Sequence, residues 1–200
     1  TPEPYRFDPA PPGIGGGALL MEYMPGVPLD YARDYPAAAA VFARIHALPS
    51  EAASLVEQPA PVLDIARESL GLLTRFGDHP LREERKALLD YHAEVVRMGV
   101  DTAPLFSGES PCIVNTEVNS HNFLIDGANA YLVDWEKAVR SLRYQDLGHF
   151  LVPTTTLWRS EYVYAEEEKL GFLGRYRELC GLDMEMDELR EKTRILERTI

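Results

Sequence analysis

The chain has 200 residues, 46% apolar and 26% charged, close to the averages of globular proteins. That composition excludes a disordered tail, a collagen-like repeat and a disulfide-built mini-protein, and the length suits one ordinary domain with a sizeable core. The 20 Lys and Arg stand against 32 Asp and Glu, a formal charge of −12. A balance so acidic argues against gripping a nucleic-acid backbone or an anionic membrane surface, and suits a cationic small molecule or an anion carried with its own metal. The two cysteines, Cys112 and Cys180, are too few for a disulfide framework and have no CxxC spacing, so a reducing, cytoplasmic setting is expected. No run of ~18 apolar residues is present, and the first residues lack the basic and apolar regions of a signal peptide. With no initiator Met and a helical rhythm still running at Ile200, the chain is expected to be an internal piece of a longer protein.

In chain order, prolines and then Gly13–Gly17 fill the first stretch, which reads as a loop. Ala18 to Met24 is a short apolar run closed by Pro25-Gly26, expected to be a buried strand. Asp34 is positioned to cap a helix with Pro36 in its first turn, running to Pro49. A second helix is expected from about Val62 to Phe76, stopping at Gly77, and a third from Leu81 to Met98. The third puts Leu81, Leu88, Tyr91, Val95 and Met98 on one stripe, with Gly99 as its stop. Three β-rich runs follow: Cys112–Val114, Asn122–Ile125 and Ala130–Val133, the last two joined by the turn Asp126-Gly127-Ala128-Asn129. From Gln145 the pattern is helical again, with a break at Pro153, a helix from Glu161 to Leu179 ended by Gly181, and a last helix from near Met184. The expected fold class is α+β: a mainly helical body with one β-hairpin in its middle.

Polar residues gather at the ends of that hairpin. Asn115-Thr116-Glu117-Val118-Asn119-Ser120-His121-Asn122 precedes it and Asp134-Trp135-Glu136 follows. Hairpin ends lie close together, so Asn122 and Asp134 should come within a few ångströms of each other, with Glu117 nearby. A carboxylate, an amide oxygen and a second carboxylate form an all-oxygen set that suits Mg²⁺, which keeps open positions for water and substrate phosphates. A polar turn cluster that caps neighbouring helices is the competing reading.

Asn115-x-Glu117-x-x-x-x-Asn122, a hairpin, and then Asp134-Trp135-Glu136 resembles the catalytic segment of the aminoglycoside phosphotransferase and choline kinase family, which has the protein-kinase-like fold. Ala18 to Gly26 is similar to that family's hinge between the lobes, and Tyr144-Gln145-Asp146-Leu147-Gly148 to the segment opening the helix behind its catalytic loop. The resemblance runs from about Ala18 to the end and implies the large, C-terminal lobe. Residues 1–27 would then be a remnant of the small lobe and hinge strand, and 28–200 the helical large lobe, with catalytic loop 115–122 and metal-binding segment 134–136. It implies an ATP- and Mg-dependent kinase acting on a small-molecule hydroxyl. Glu117 would orient and deprotonate the acceptor, Asn122 and Asp134 would hold Mg²⁺, and the Glu22 and Met24 backbone would contact adenine. Asp146 and Asn115 would brace the loop from behind.

The chain departs from the family pattern in two places within the loop. Asn115 stands where the family has His, and Glu117 where it has Asp, which carries the carboxylate about one methylene further out; a 1 Å misplacement can cost ~10²-fold in rate. A nucleotide-binding pseudokinase without transfer is therefore the alternative. The family's phosphate-clamping Lys lies upstream of the hinge, whereas Lys86 is the first lysine here, and Gly13–Gly17 reads as a connector between strands.

Other residues carry weaker signals. His46, His79, His92, His121 and His149 match no zinc spacing and read as surface or satisfied core residues, with His121 placed to touch substrate. Trp135 and Trp158 read as core or wall. Thr154 to Thr156 fits either an acceptor-pocket lining or a helix N-cap, and Glu166–Glu168 a solvated helix face that would suit a cationic acceptor if it faced the cleft.

Overall fold

Asp30, rather than Asp34, starts the first helix. The computed structural model, which describes residues 2–51 and 54–200, has α1 at Tyr31–His46, with the Asp30 carboxylate accepting from the Ala32 N–H at 2.9 Å. Asp34 completes the cap from inside: its carboxylate accepts from the Asp30 N–H at 3.0 Å and pairs with Arg33 at 2.7 Å. Sequence favours Asp34 because Pro36 suits a first turn, but two Asp residues one turn apart cap reciprocally and move the start four residues back.

The opening stretch is not all loop. Strand β1 (Pro4–Asp8) pairs antiparallel with β2 (Ala18–Met21), with the prolines and glycines as their connector. β2 is shorter than expected and is not buried: Leu19, Leu20 and Met21 are exposed in this two-stranded sheet. Thr1 lies outside the described residues.

After α1 come β4 (Val56–Glu57), α2 (Pro61–Arg75) and α3 (Arg82–Thr102). α3 runs straight through Gly99. A Cβ there would meet Leu63 Cδ2 at 2.7 Å and Val62 Cγ1 at 2.9 Å, so this glycine permits close approach of α2 rather than ending the helix. Of the expected stripe on α3 only Val95 is buried; Leu81, Leu88 and Tyr91 are exposed.

The β-hairpin forms as expected from β6 (Phe123–Asp126) and β7 (Asn129–Leu132), with Phe123 opposite Leu132 and Gly127 in the left-handed region at the turn. It gains a third strand, β3 (Val27–Pro28), on β6. A second small sheet, with strand order β4, β8 (Val139–Ser141), β5 (Cys112–Val114), is visible only in three dimensions, because its strands are two or three residues long. Helices α4 (Tyr144–Leu151), α5 (Pro153–Thr156), α6 (Glu166–Cys180) and α7 (Met186–Glu197) complete the chain. Residues 161–165, expected to be helical, precede α6, with Ala165 extended at its N-cap, and Gly181 ends α6 in the left-handed region as expected.

The core lies between α1, α4, α6 and the hairpin. Phe42 meets Phe123 and Phe150 edge-on at 5.5 and 5.6 Å between centroids, and Phe150 stacks on Phe172 at 5.0 Å. Each such fully buried ring contributes on the order of 2 kcal/mol. Phe123 therefore anchors the start of the hairpin in the core, which fixes the position of its neighbour Asn122.

Candidate active site

A cleft of about 590 Å³ opens beside the hairpin, and Thr116, Glu117, Asn119, His121, Asn122 and Asp134 line it. The two ends of the hairpin are tied by the Val133 N–H, which donates to the Asn122 carbonyl at 2.8 Å. The Asn122 amide nitrogen donates to the Glu117 carbonyl at 2.6 Å, which leaves Oδ1 as the end that can accept or ligate. Carboxylate oxygens of Glu117, Asp134 and Glu136 lie within 4.8 Å of one another. Oxygen donors converging in this way match the preference of a hard divalent cation, with Glu136 joining the set that spacing suggested.

Asn115 fastens the two halves together. Its Nδ2 donates to the Asp134 carbonyl at 2.7 Å, and its Oδ1 accepts from the Glu117 N–H at 3.0 Å. One fully buried amide thus holds both the loop residue and the metal-segment residue at their backbones. Thr116 and Asp134, on either side of this tie, have φ of 68° and 63°. Left-handed backbone is a real strain for a β-branched residue and persists only where the surroundings impose it.

Asp146 imposes it on Thr116. Fully buried on α4, it accepts from the Asn115 N–H at 2.9 Å and the Thr116 N–H at 2.9 Å. Its own support is His46, whose Nε2–H donates to Asp146 Oδ2 at 3.3 Å while Nδ1 meets the Tyr176 hydroxyl at 2.7 Å. A carboxylate only accepts, so this tautomer lets Tyr176 donate to Nδ1 and satisfies all three groups. His46 is the satisfied core histidine that its spacing suggested, and sequence gave no sign that its partner would be Asp146.

Lys137 is the residue that sequence reasoning passed over. Its Nζ lies 2.5 Å from Glu117 Oε1, and its carbonyl accepts from Thr116 Oγ1 at 3.0 Å. The Glu117 carboxylate holds the Lys137 ammonium above the usual lysine range. Its position directly after Asp134-Trp135-Glu136 was the one available signal. His149 also faces the cleft beside Thr116, and burial pushes its pKa below the usual histidine range.

The remaining candidates divide. Glu22 and Met24 follow β2 and do not line this cleft; the Glu22 N–H donates to the Glu3 carbonyl at 2.8 Å. Trp135 packs half-buried with its Nε1–H on the Leu132 carbonyl, whereas Trp158 is 68% exposed and forms a wall. Thr154 and Thr155 line the cleft, and no side chain caps α5, so the N-cap reading is corrected. Glu166 pairs with Arg190 and Glu168 with Tyr162, and neither lines the cleft.

A model of the phosphotransferase enzyme family, APH, matches residues 1–182. The chain therefore belongs to that family. Its architecture is similar to an ethanolamine kinase from Plasmodium vivax (TM-score 0.69, 13% identity, 99% of this chain and 58% of that one). A choline kinase from Cryptosporidium parvum is also similar (TM-score 0.64, 14% identity, 93% and 63%). So is an aminoglycoside phosphotransferase from Streptomyces rimosus in complex with ADP and streptomycin (TM-score 0.56, 17% identity, 92% and 70%). These likenesses define a protein-kinase-like fold of the α+β class, in its helical large-lobe part. The chain spans about three-fifths of the length of the first two structures. No curated protein matches it in sequence. Among the described residues no helix is long and apolar enough to cross a membrane.

Proposed function

We propose that the protein carrying this chain is an ATP- and Mg-dependent phosphotransferase that acts on a hydroxyl of a small molecule. The observation that carries this reading is the convergence of Glu117, Asn122 and Asp134 on one cleft, held by the Asn115 bridge and the Asp146 brace. Residues 1–27 belong on this reading to the small-lobe and hinge side, and 28–200 to the large lobe. β3 pairs with β6 across the boundary between the two parts, and the backbone of Glu22 and Met24 just upstream of it would meet an adenine ring. The two free thiols fit a reducing cytoplasm.

Asp134 and Asn122 Oδ1 would hold Mg²⁺, with Glu136 within reach of the same ion. The metal supplies charge neutralisation for the ATP phosphates. Glu117 orients the acceptor hydroxyl and takes its proton as the acceptor oxygen bonds to the γ-phosphorus and the bond to the ADP oxygen breaks. Lys137 holds the longer Glu side chain in place, and Asp146 holds the backbone of Asn115 and Thr116 just ahead of it. Phosphoryl transfer depends on positioning and charge more than on covalent help, so a reset loop can employ Glu where relatives use Asp.

A second reading, nucleotide binding without transfer, draws on the same Lys137–Glu117 pair, which occupies the candidate base. ADP release from Mg-ATP across hydroxylated compounds, measured beside calorimetric ATP binding, separates the two. Binding without release with any acceptor would favour the pseudokinase.

A further inference from the structure

Part of the cleft lining is made of uncharged polar groups. Ser69 comes from α2, Gln145 from α4, and Thr154 and Thr155 from α5. Gln145 is 4% exposed, its Nε2 donates to Gln58 at 3.2 Å, and its Oε1 is without a partner. A buried acceptor left in that state costs about 1–3 kcal/mol unless something outside the chain satisfies it. The exposed indole of Trp158 closes the wall, with the Arg159 guanidinium 5.6 Å from its ring centre.

Most of the charge in this cleft is already engaged on the phosphotransfer reading. Glu117 is neutralised by Lys137, and Asp134 belongs to the oxygen set for the metal. Glu68 and Arg159 are the other charged side chains in the lining, one of each sign. The acidic run at the start of α6, which would have drawn a cation, is turned away and engaged by Arg190 and Tyr162. Among the described lining residues an ammonium brought against this wall would lose water and find only Glu68 as a counter-charge, with the Arg159 cation in the same lining, an unfavourable exchange. A molecule with several hydroxyls would instead pair with the serine, threonine and glutamine groups and lay its C–H face on the indole.

We infer that the acceptor is a neutral polyhydroxyl compound, a sugar or polyol, bound against Trp158 with its hydroxyls on Ser69, Gln145, Thr154 and Thr155. The inference rests on the phosphotransfer reading above and names the substrate class of the same site.

The test uses the full-length protein that carries this chain, with Mg-ATP and coupled detection of ADP. myo-Inositol, D-ribose and D-glucose serve as neutral probes, and choline, ethanolamine and kanamycin as cationic ones. At least one neutral probe should raise ADP release about tenfold over the rate without acceptor. Trp158→Ala should then raise its KM about tenfold with much less change in kcat, and Trp158→Phe, which keeps an aromatic face, should raise KM less. A cationic probe with a higher kcat/KM than every neutral one overturns the inference and leaves phosphotransfer standing. If no probe of either class releases ADP, phosphotransfer has failed, and indole fluorescence decides the acceptor question. Quenching by a neutral probe that is lost in Trp158→Phe but kept in Trp135→Phe supports the neutral wall; no quenching, or quenching by cations alone, overturns it.

Discussion

The Lys137 ammonium sits 2.5 Å from the Glu117 carboxylate, joining two residues 20 positions apart across the mouth of the cleft. Lys137 is more than half exposed, so the pair adds only about 0–1 kcal/mol to stability. Its consequence is positional. Glu117→Gln should lower kcat by about 10²-fold or more with little change in nucleotide affinity. Lys137→Met should leave the urea midpoint nearly unchanged but reduce kcat, and its effect should shrink in a Glu117→Asp background, where the carboxylate is retracted. Additive losses in that double-mutant cycle would show that Lys137 does not act through Glu117.

The Asn115 bridge predicts a contrast between two substitutions. Asn115→Asp keeps an acceptor for the Glu117 N–H but sets a carboxylate against the Asp134 carbonyl, while Asn115→Ala removes both bonds. Each should cost about 1–3 kcal/mol in urea unfolding, with the aspartate the worse of the two at neutral pH. The deficit of Asn115→Asp should ease as pH falls and its carboxyl takes a proton, while that of Asn115→Ala should not. Equal pH profiles would count against the bridge.

Gly148 on α4 lies against α7. A Cβ there would meet Leu196 Cβ at 2.8 Å and the Glu197 N at 3.0 Å. Gly148→Ala should destabilise the fold by about 1–3 kcal/mol, because one of the two close atoms is backbone and cannot rotate away. Gly174, with nothing within 4 Å of its added Cβ, is the control: Gly174→Ala in the interior of α6 should be neutral or slightly stabilising. Thermal unfolding of the pair gives the comparison.

Burial pushes the Cys112 thiol up to about 12 from 9.0. At pH 8 the folded thiol therefore stays protonated, and an aromatic disulfide reagent should reach the buried Cys112 only after unfolding. The raised value also fixes a sign: the neutral thiol's contribution to stability is complete below about pH 9 and declines as pH rises towards 12. Cys112→Ser should flatten that alkaline decline. Rapid labelling of native Cys112 would refute the burial argument.

The hairpin was legible in sequence because Asp126-Gly127 lies between two β-rich runs, and the same signal placed Asn122 beside Asp134 at one cleft. Gly99 was misread because a glycine that ends a helix and one that admits a neighbouring helix look alike locally; only the approach of Val62 and Leu63 distinguishes them. β1 was hidden by the surrounding prolines, and β4 and β8 are too short to leave a pattern. Within the candidate site, motif spacing points to Glu117, Asn122 and Asp134, which the structure brings to one cleft, and to Asp146, which it sets behind the loop. That spacing does not reach Lys137 and His46, because their partners are set by the left-handed turn at Asp134 and by the packing of α1 on α4.

The backbone at Thr116 and Asp134 carries a further implication for how such a protein changes over time. Glycine at Thr116 would relax the chain while loosening Glu117 beside it, and glycine at Asp134 would relax it while deleting a carboxylate that faces the cleft. Selection for hardiness alone would drift towards glycine there, and retention of side chains at both positions in a lineage would record that the chemistry was still in use.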